Sequence, residues 1–148
     1  PVGRGGQMLS ERWADGIRTL HGVHIHGFPN LFMVQPYQAA NLISNVPHNI
    51  VDHANTISTV VRYAEETGAR TVEPEKTAQD AWVELILTGE GMLIGSTECT
   101  PGYYNNEGAG LNARHRHGLG PPARANVFFE HIKAWRESGE FKGLQFSS

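Results

Sequence analysis

Between Val46 and Thr67 apolar residues recur at Ile50, Ala54, Ile57, Val61 and Ala64, three or four positions apart, a spacing that lays one stripe along one face of a helix. Ser44 or Asn45 can accept an orphan backbone N–H at the start, Pro47 suits the first turn, and Gly68 permits a left-handed cap. The pattern predicts a helix over Val46–Thr67 with Ile50, Ala54, Ile57 and Val61 turned to the core. A second helix is predicted from Glu75 into Leu87, burying Ala78, Ala81, Trp82, Leu85 and Ile86 and ended by Gly89 and Gly91. A third, from Arg124 to Ser138, buries Val127, Phe128, Ile132 and Trp135 and stops at Gly139.

Strand signals are shorter. Leu31-Phe-Met-Val34 follows the turn signal Phe28-Pro29-Asn30 and reads as a buried strand; Leu20 to Ile25 is a candidate for another, and the tail through Phe141, Leu144 and Phe146 for a third. Gln35 to Asn45 follows neither period and reads as a loop of functional length joining strand to helix. Residues 88–122, rich in Gly, Asn and Pro, read as long irregular structure. The expected fold class is α+β, mainly helical with one to three short strands, forming a single unit over residues 1–148.

Composition narrows the function classes. With 148 residues, 39% apolar and 18% charged, the chain is globular rather than disordered. A net charge of -3 with no long basic run gives no electrostatic footprint for nucleic acid or an anionic membrane surface. Apolar runs such as Leu31 to Val34 fall far short of the roughly 20 residues that span a bilayer. The one cysteine, Cys99, cannot form an internal disulfide, and without a charged-then-apolar leader a reducing cytoplasm is the expected location. Pro1 is not an initiator residue, so the chain is expected to begin inside a longer one.

Few motifs carry chemistry by themselves. Gly108-Ala-Gly110-Leu-Asn-Ala113 has the glycine spacing of a dinucleotide-binding turn, but Tyr103-Tyr-Asn-Asn precedes it and Arg114-His-Arg-His-Gly follows, where a hydrophobic strand and an apolar helix are required. His24 and His26 would share one side of a strand with His21 close by, so a small zinc protein is one rival reading. No carboxylate or thiol stands at ligand spacing, and no metal is expected. His115-Arg-His117, with Arg114 and Arg124, is a cationic loop able to meet a phosphate or simply to be solvated. Cys99 has no partner base nearby in sequence. A serine nucleophile elbow, a phosphate-binding lysine loop and a paired-cysteine zinc pattern are all missing.

The ordered set of remaining words says more. Gly27-Phe-Pro-Asn-Leu-Phe-Met-Val34, then Ser44-Asn45 and a long helix, then Arg70-Thr-Val-Glu-Pro74 leading to Trp82, then Cys99-Thr-Pro-Gly-Tyr-Tyr-Asn-Asn-Glu-Gly108 before a closing helix, resembles the C-terminal third of Baeyer-Villiger type flavin-dependent monooxygenases. The resemblance spans nearly the whole chain and implies the C-terminal part of a flavoprotein fold with two dinucleotide-binding domains. It implies an enzyme that uses FAD, NADPH and O2 to insert oxygen beside the carbonyl of a small ketone-like substrate. The family's phosphate-binding glycine turns, its signature motif and the arginine that assists oxygen transfer all belong to upstream segments absent here. No catalytic residue is therefore assigned, and residues 1–148 alone are expected to bind neither FAD nor NADP and to be inactive.

What the resemblance does carry over is proximity. It places Gln35, Pro36, Asn41, Leu42 and Ile43 beside the flavin, with Leu42 and Ile43 also bordering the substrate, and it likens Tyr103, Tyr104 and Asn105 to a loop that closes over substrate and nicotinamide. The alternative to an enzyme is a non-catalytic binding or assembly module that keeps this fold. A piece of this kind would expose apolar surface, so a homodimer is also an expected possibility.

Overall fold

A computed structural model of the chain describes residues 1–40, 44–89, 100–102, 107–109 and 112–148. A 3-10 turn at Arg4–Gly6 is followed by α1 (Leu9–Arg12), α2 (Val46–Thr67), β1 (Thr71–Pro74), α3 (Lys76–Thr88), α4 (Ala113–Arg116), α5 (Ala125–Ser138) and β2 (Leu144–Ser147). This is the mixed, mainly helical class expected, with a two-stranded antiparallel sheet in which Thr71 faces Ser147 and Pro74 faces Leu144.

The ends of α2 fall where the sequence puts them. The Asn45 side chain accepts the His48 N–H at 2.8 Å, Pro47 lies in the first turn, and Gly68 closes the helix at φ 70°, a conformation that costs glycine little. Its orientation is not the one expected. The buried residues are Asn49, Asp52, His53, Thr56 and Val60, while Ile50 is 44% and Val61 38% exposed and Ala54 is also exposed. The physical reason is a polar seam between α2 and α5. Arg136 Nη1 donates to Asp52 Oδ1 at 2.8 Å and to Thr56 Oγ1 at 2.8 Å. Satisfying this arginine fixes the rotation of α2 and leaves Ile50, Ala54 and Val61 outside, with Ile57 half-buried.

The other helices follow their predicted faces more closely. Trp82 and Ile86 of α3 are buried as expected, joined by Gln79 and Val83, whereas Ala81 and Leu85 are exposed. In α5 Phe128, Ile132 and Trp135 are buried, Val127 is exposed, and Gly139 forms the stop. These side chains meet Leu20, Ala39, Ala40, Val60, Val72, Phe141 and Leu144 in one core.

Leu31–Val34 does not form a strand. Phe32 makes one isolated bridge to His24, Met33 N–H donates to the Val23 carbonyl at 2.8 Å, and Val34 is half exposed. Leu20 to Ile25 likewise forms a turn, with a single bridge from Leu20 to His24. The sheet uses other partners. β1, which shows no alternation in the sequence, pairs with the tail strand β2 on one edge and with Asn30 on the other. Asn30 N–H donates to the Val72 carbonyl, its Oδ1 accepts the Val72 N–H (both 2.9 Å), and its Nδ2 donates to the Arg70 carbonyl at 3.0 Å. One asparagine side chain thus supplies ladder bonds that a neighbouring strand would supply, and blunts that edge of the sheet.

Candidate functional site

The loop entering α2 is built by two glutamines. Gln35 folds its amide onto the backbone: Nε2 donates to the carbonyls of Gly22 and Tyr37 at 2.9 and 2.8 Å, and Oε1 accepts the Tyr37 N–H at 2.6 Å. Pro36 contributes the carbonyl that accepts the Ala39 N–H at 3.3 Å, closing a turn. Gln38 is fully buried. Its Oε1 accepts the Thr19 N–H and hydroxyl at 2.8 and 2.7 Å, and its Nε2 donates to the carbonyls of Ile17 and His117 at 2.7 and 2.8 Å. Its own N–H reaches the Leu119 carbonyl at 3.1 Å, and its carbonyl accepts Trp82 Nε1–H at 3.0 Å. Gly22 lies directly against this loop: a Cβ there would stand 2.9 Å from both the Ala39 Cβ and the Tyr37 carbonyl oxygen, so only glycine lets the two backbones approach so closely.

Of the residues the sequence assigns to a cofactor or substrate, Gln35 and Pro36 lie on this loop, both half-buried. Asn41, Leu42, Ile43, Tyr103, Tyr104 and Asn105 lie outside the described residues, as does Cys99. Gln38 was not singled out from the sequence. The available signal is a lone polar residue directly before Ala39-Ala40 in an aperiodic loop, since small neighbours leave room for a buried amide.

Under the loop lies a group of buried imidazoles. His21 packs edge-on against Trp82 and Trp135, with ring centroids 4.9 and 5.1 Å apart, and His24 packs against Phe32 at 5.6 Å. Burial pushes the pKa of each down to about 3. For His21 the nearby His24 and His131 add to this; for His24 the Leu20 carbonyl opposes it and His53 reinforces it. His53, which accepts the Gln35 N–H on Nδ1 at 3.4 Å, is also pushed down by burial, against the opposing charge of Asp52. His26 is separate, its Nδ1 lying 2.9 Å from the Pro74 carbonyl and its backbone N–H donating to Gln79 Oε1. His21, His24 and His26 therefore do not converge as the zinc reading requires, and among the described residues no three His, Cys, Asp or Glu side chains are disposed to hold a metal.

The remaining motifs also find places. Asn112 caps α4, which has four residues, so the glycine motif beginning at Gly108 is not followed by the helix that a dinucleotide turn needs. Within the cationic loop, the buried His117 ring sits against Gly16 with Nδ1 3.1 Å from the Ile17 carbonyl, while Arg114 and Arg116 are exposed. Among the described residues no helix is long and apolar enough to cross a membrane.

No family model matches the chain. Individual proteins do. It is 38% identical over 145 residues to the FAD-binding monooxygenase hmp7 of Hypomyces subiculosus, covering 97% of this chain and 24% of that protein. It is 39% identical over 137 residues to a Baeyer-Villiger monooxygenase of Streptomyces coelicolor, covering 91% of this chain and 22% of that protein. This chain is homologous to part of the Baeyer-Villiger type flavin monooxygenases. A solved structure titled oxidized steroid monooxygenase bound to NADP superimposes with a TM-score of 0.80 at 29% identity, over 99% of this chain and 26% of that one. The chain thus spans about a quarter of the length of these monooxygenases.

Proposed function

We propose that this chain serves within an FAD- and NADPH-dependent monooxygenase that inserts one atom of O2 beside the carbonyl of a ketone-like substrate. The observation that carries the reading is the homology to Baeyer-Villiger monooxygenases along almost the entire chain. The described residues fit a supporting place beside a flavin. They provide a loop held by Gln35 and Gln38 that leads toward the N-terminus of a 22-residue helix capped by Asn45. They provide no glycine turn followed by a full helix, so in this reading the chain borders the dinucleotides and other segments hold their phosphates.

When bound, FAD supplies the activation of O2 and NADPH the reducing electrons. The part of this chain is to shape and dry the space where the ketone sits. Pro36 and the Gln35 backbone form the start of that wall, because the Gln35 amide is used within the loop. The resemblance assigns the same space to Asn41, Leu42 and Ile43, with Leu42 and Ile43 also taken as substrate contacts, and to Tyr103 and Tyr104.

The test uses the intact protein that contains this chain. Flavin content near one per chain and NADPH- and ketone-dependent O2 uptake, with the ester or lactone as product, are the expected results. Leu42→Ala and Ile43→Ala are expected to change relative kcat/KM among ketones of different bulk by about 1 to 3 kcal/mol per altered contact, with a smaller change in Tm. Variants that keep the wild-type ranking but lose flavin or unfold would make the loop a structural support only. A folded, flavin-free protein without oxygenation would favour a non-catalytic assembly module.

A further inference from the structure

Gln38 is more than a filled position in the core. It is a non-glycine residue at φ 57° with no exposure to solvent, a conformation that persists only where the surroundings over-determine it and that concentrates at functional sites. The surroundings here are unusually complete. All four hydrogen-bonding positions of the side-chain amide and both backbone groups are engaged, with Ile17, Thr19, Trp82, His117 and Leu119 as partners. These partners come from three stretches of chain far apart in sequence. The two ends of the amide have different partners: Oε1 holds Thr19 alone, whereas Nε2 bridges the carbonyls of Ile17 and His117. With the bond from Gln38 N–H to the Leu119 carbonyl, the turn at 117–119 is fastened to the loop at 35–40 twice through this one residue.

We propose that Gln38 is a positioning residue that locks the 35–40 loop and the 117–119 turn into one unit, so that a change in either stretch alters the discrimination between substrates made along that loop. The proposal rests on the functional reading above. Gln38 touches no ligand in this scheme. It acts through the backbone of Gln35 and Pro36, and displacement of a pocket wall by a fraction of an ångström is enough to alter reaction rates.

Two isosteric substitutions separate this role from simple support. Gln38→Glu keeps the acceptor toward Thr19 but replaces the donor that bridges Ile17 and His117 by an oxygen facing two carbonyls. Thr19→Val removes the hydroxyl that donates to the acceptor end and accepts the Gly22 N–H at 3.0 Å, and leaves the bridge to Ile17 and His117 intact. In the intact holoenzyme, assayed well below its Tm, Gln38→Glu is expected to change the ratio of kcat/KM for a small and a bulky ketone by about tenfold or more. Thr19→Val, which costs stability by stranding the Gly22 N–H, should leave that ratio within about twofold of wild type, because the bonds that fasten the 117–119 turn to Gln38 remain. Because Gln38→Glu could fail to fold, native-state hydrogen exchange of the wild-type protein supplies a second reading: the Gln38 amide and the Gly118 and Leu119 amides of the turn are expected to open together. Separate opening of these amides overturns the proposal, as does a folded Gln38→Glu with an unchanged ratio, or an equal change in both variants. Wild-type protein with no ketone oxygenation instead sinks the functional reading itself.

Discussion

Arg136→Met is expected to lower the folding free energy of the protein by about 3 to 5 kcal/mol, the cost of stranding a buried charge. The guanidinium crosses from α5 to α2 and donates to Asp52 Oδ1 and Thr56 Oγ1, both at 2.8 Å. The Asp52 and Arg136 side chains are only 9% and 14% exposed, so water cannot replace the lost partner. The attraction itself is not the source of the effect, because bringing both charges out of water costs much of what their pairing returns. A double variant, Asp52→Leu with Arg136→Met, should therefore recover a large part of the loss. Urea unfolding of the two single variants and the double closes the cycle. Additive losses would show that the seam does not depend on this pair.

A second large effect is expected with pH. His21 and His24 have folded pKa values of about 3 against 6.5 for free imidazole, and His53 is lowered as well. The unfolded chain takes up protons as pH falls through 6.5 while the folded core refuses them until near 3. Stability from these groups is complete above pH 6.5 and drains away as pH falls toward 3, by several kcal/mol in total. Among the carboxylates of the described residues the resolved shift is that of Asp80, lowered from 3.8 mainly by its hydrogen bond with Lys76; its stabilisation is in place above about pH 4 and is lost only as pH falls below that. The interval from 6.5 to 4.5 therefore isolates the histidines. Tm should fall steadily across it, and His24→Phe, which fits a site walled by Phe32 and Trp135, should flatten the slope. A constant Tm between pH 6.5 and 4.5 would rule the account out.

The sequence disclosed boundaries better than orientations. The span of α2 was readable because its stop signals are local: Asn45 caps, Pro47 begins and Gly68 ends. Its rotation was not, because the partner of Asp52 and Thr56 is 80 or more residues away, and no periodicity records a polar seam. The same limit explains the strands. Leu31–Val34 has strand composition, but the turn before it sends Asn30 to Val72, and β1 has almost no composition signal in Thr-Val-Glu-Pro. Glu73 is buried there because Arg4 Nε and the Gly27 N–H occupy its two oxygens at 2.7 and 2.8 Å. At the site, the aperiodic character of the loop is visible in the sequence and its assignment to cofactor and substrate comes from resemblance alone, whereas Gln38 becomes visible only when Ile17, Thr19 and His117 are brought around it.

The outward face of α2 inverts the usual map of what mutation tolerates. Within these 148 residues, the folding of α2 is expected to constrain Asn49, Asp52, His53 and Thr56, four hydrophilic letters, beside the single aliphatic Val60, and to leave Ile50, Ala54 and Val61 nearly free. A lineage that kept only this unit would be free to turn those aliphatic letters polar over time. Their persistence or erosion among descendants would then record whether anything besides folding had been asked of that face.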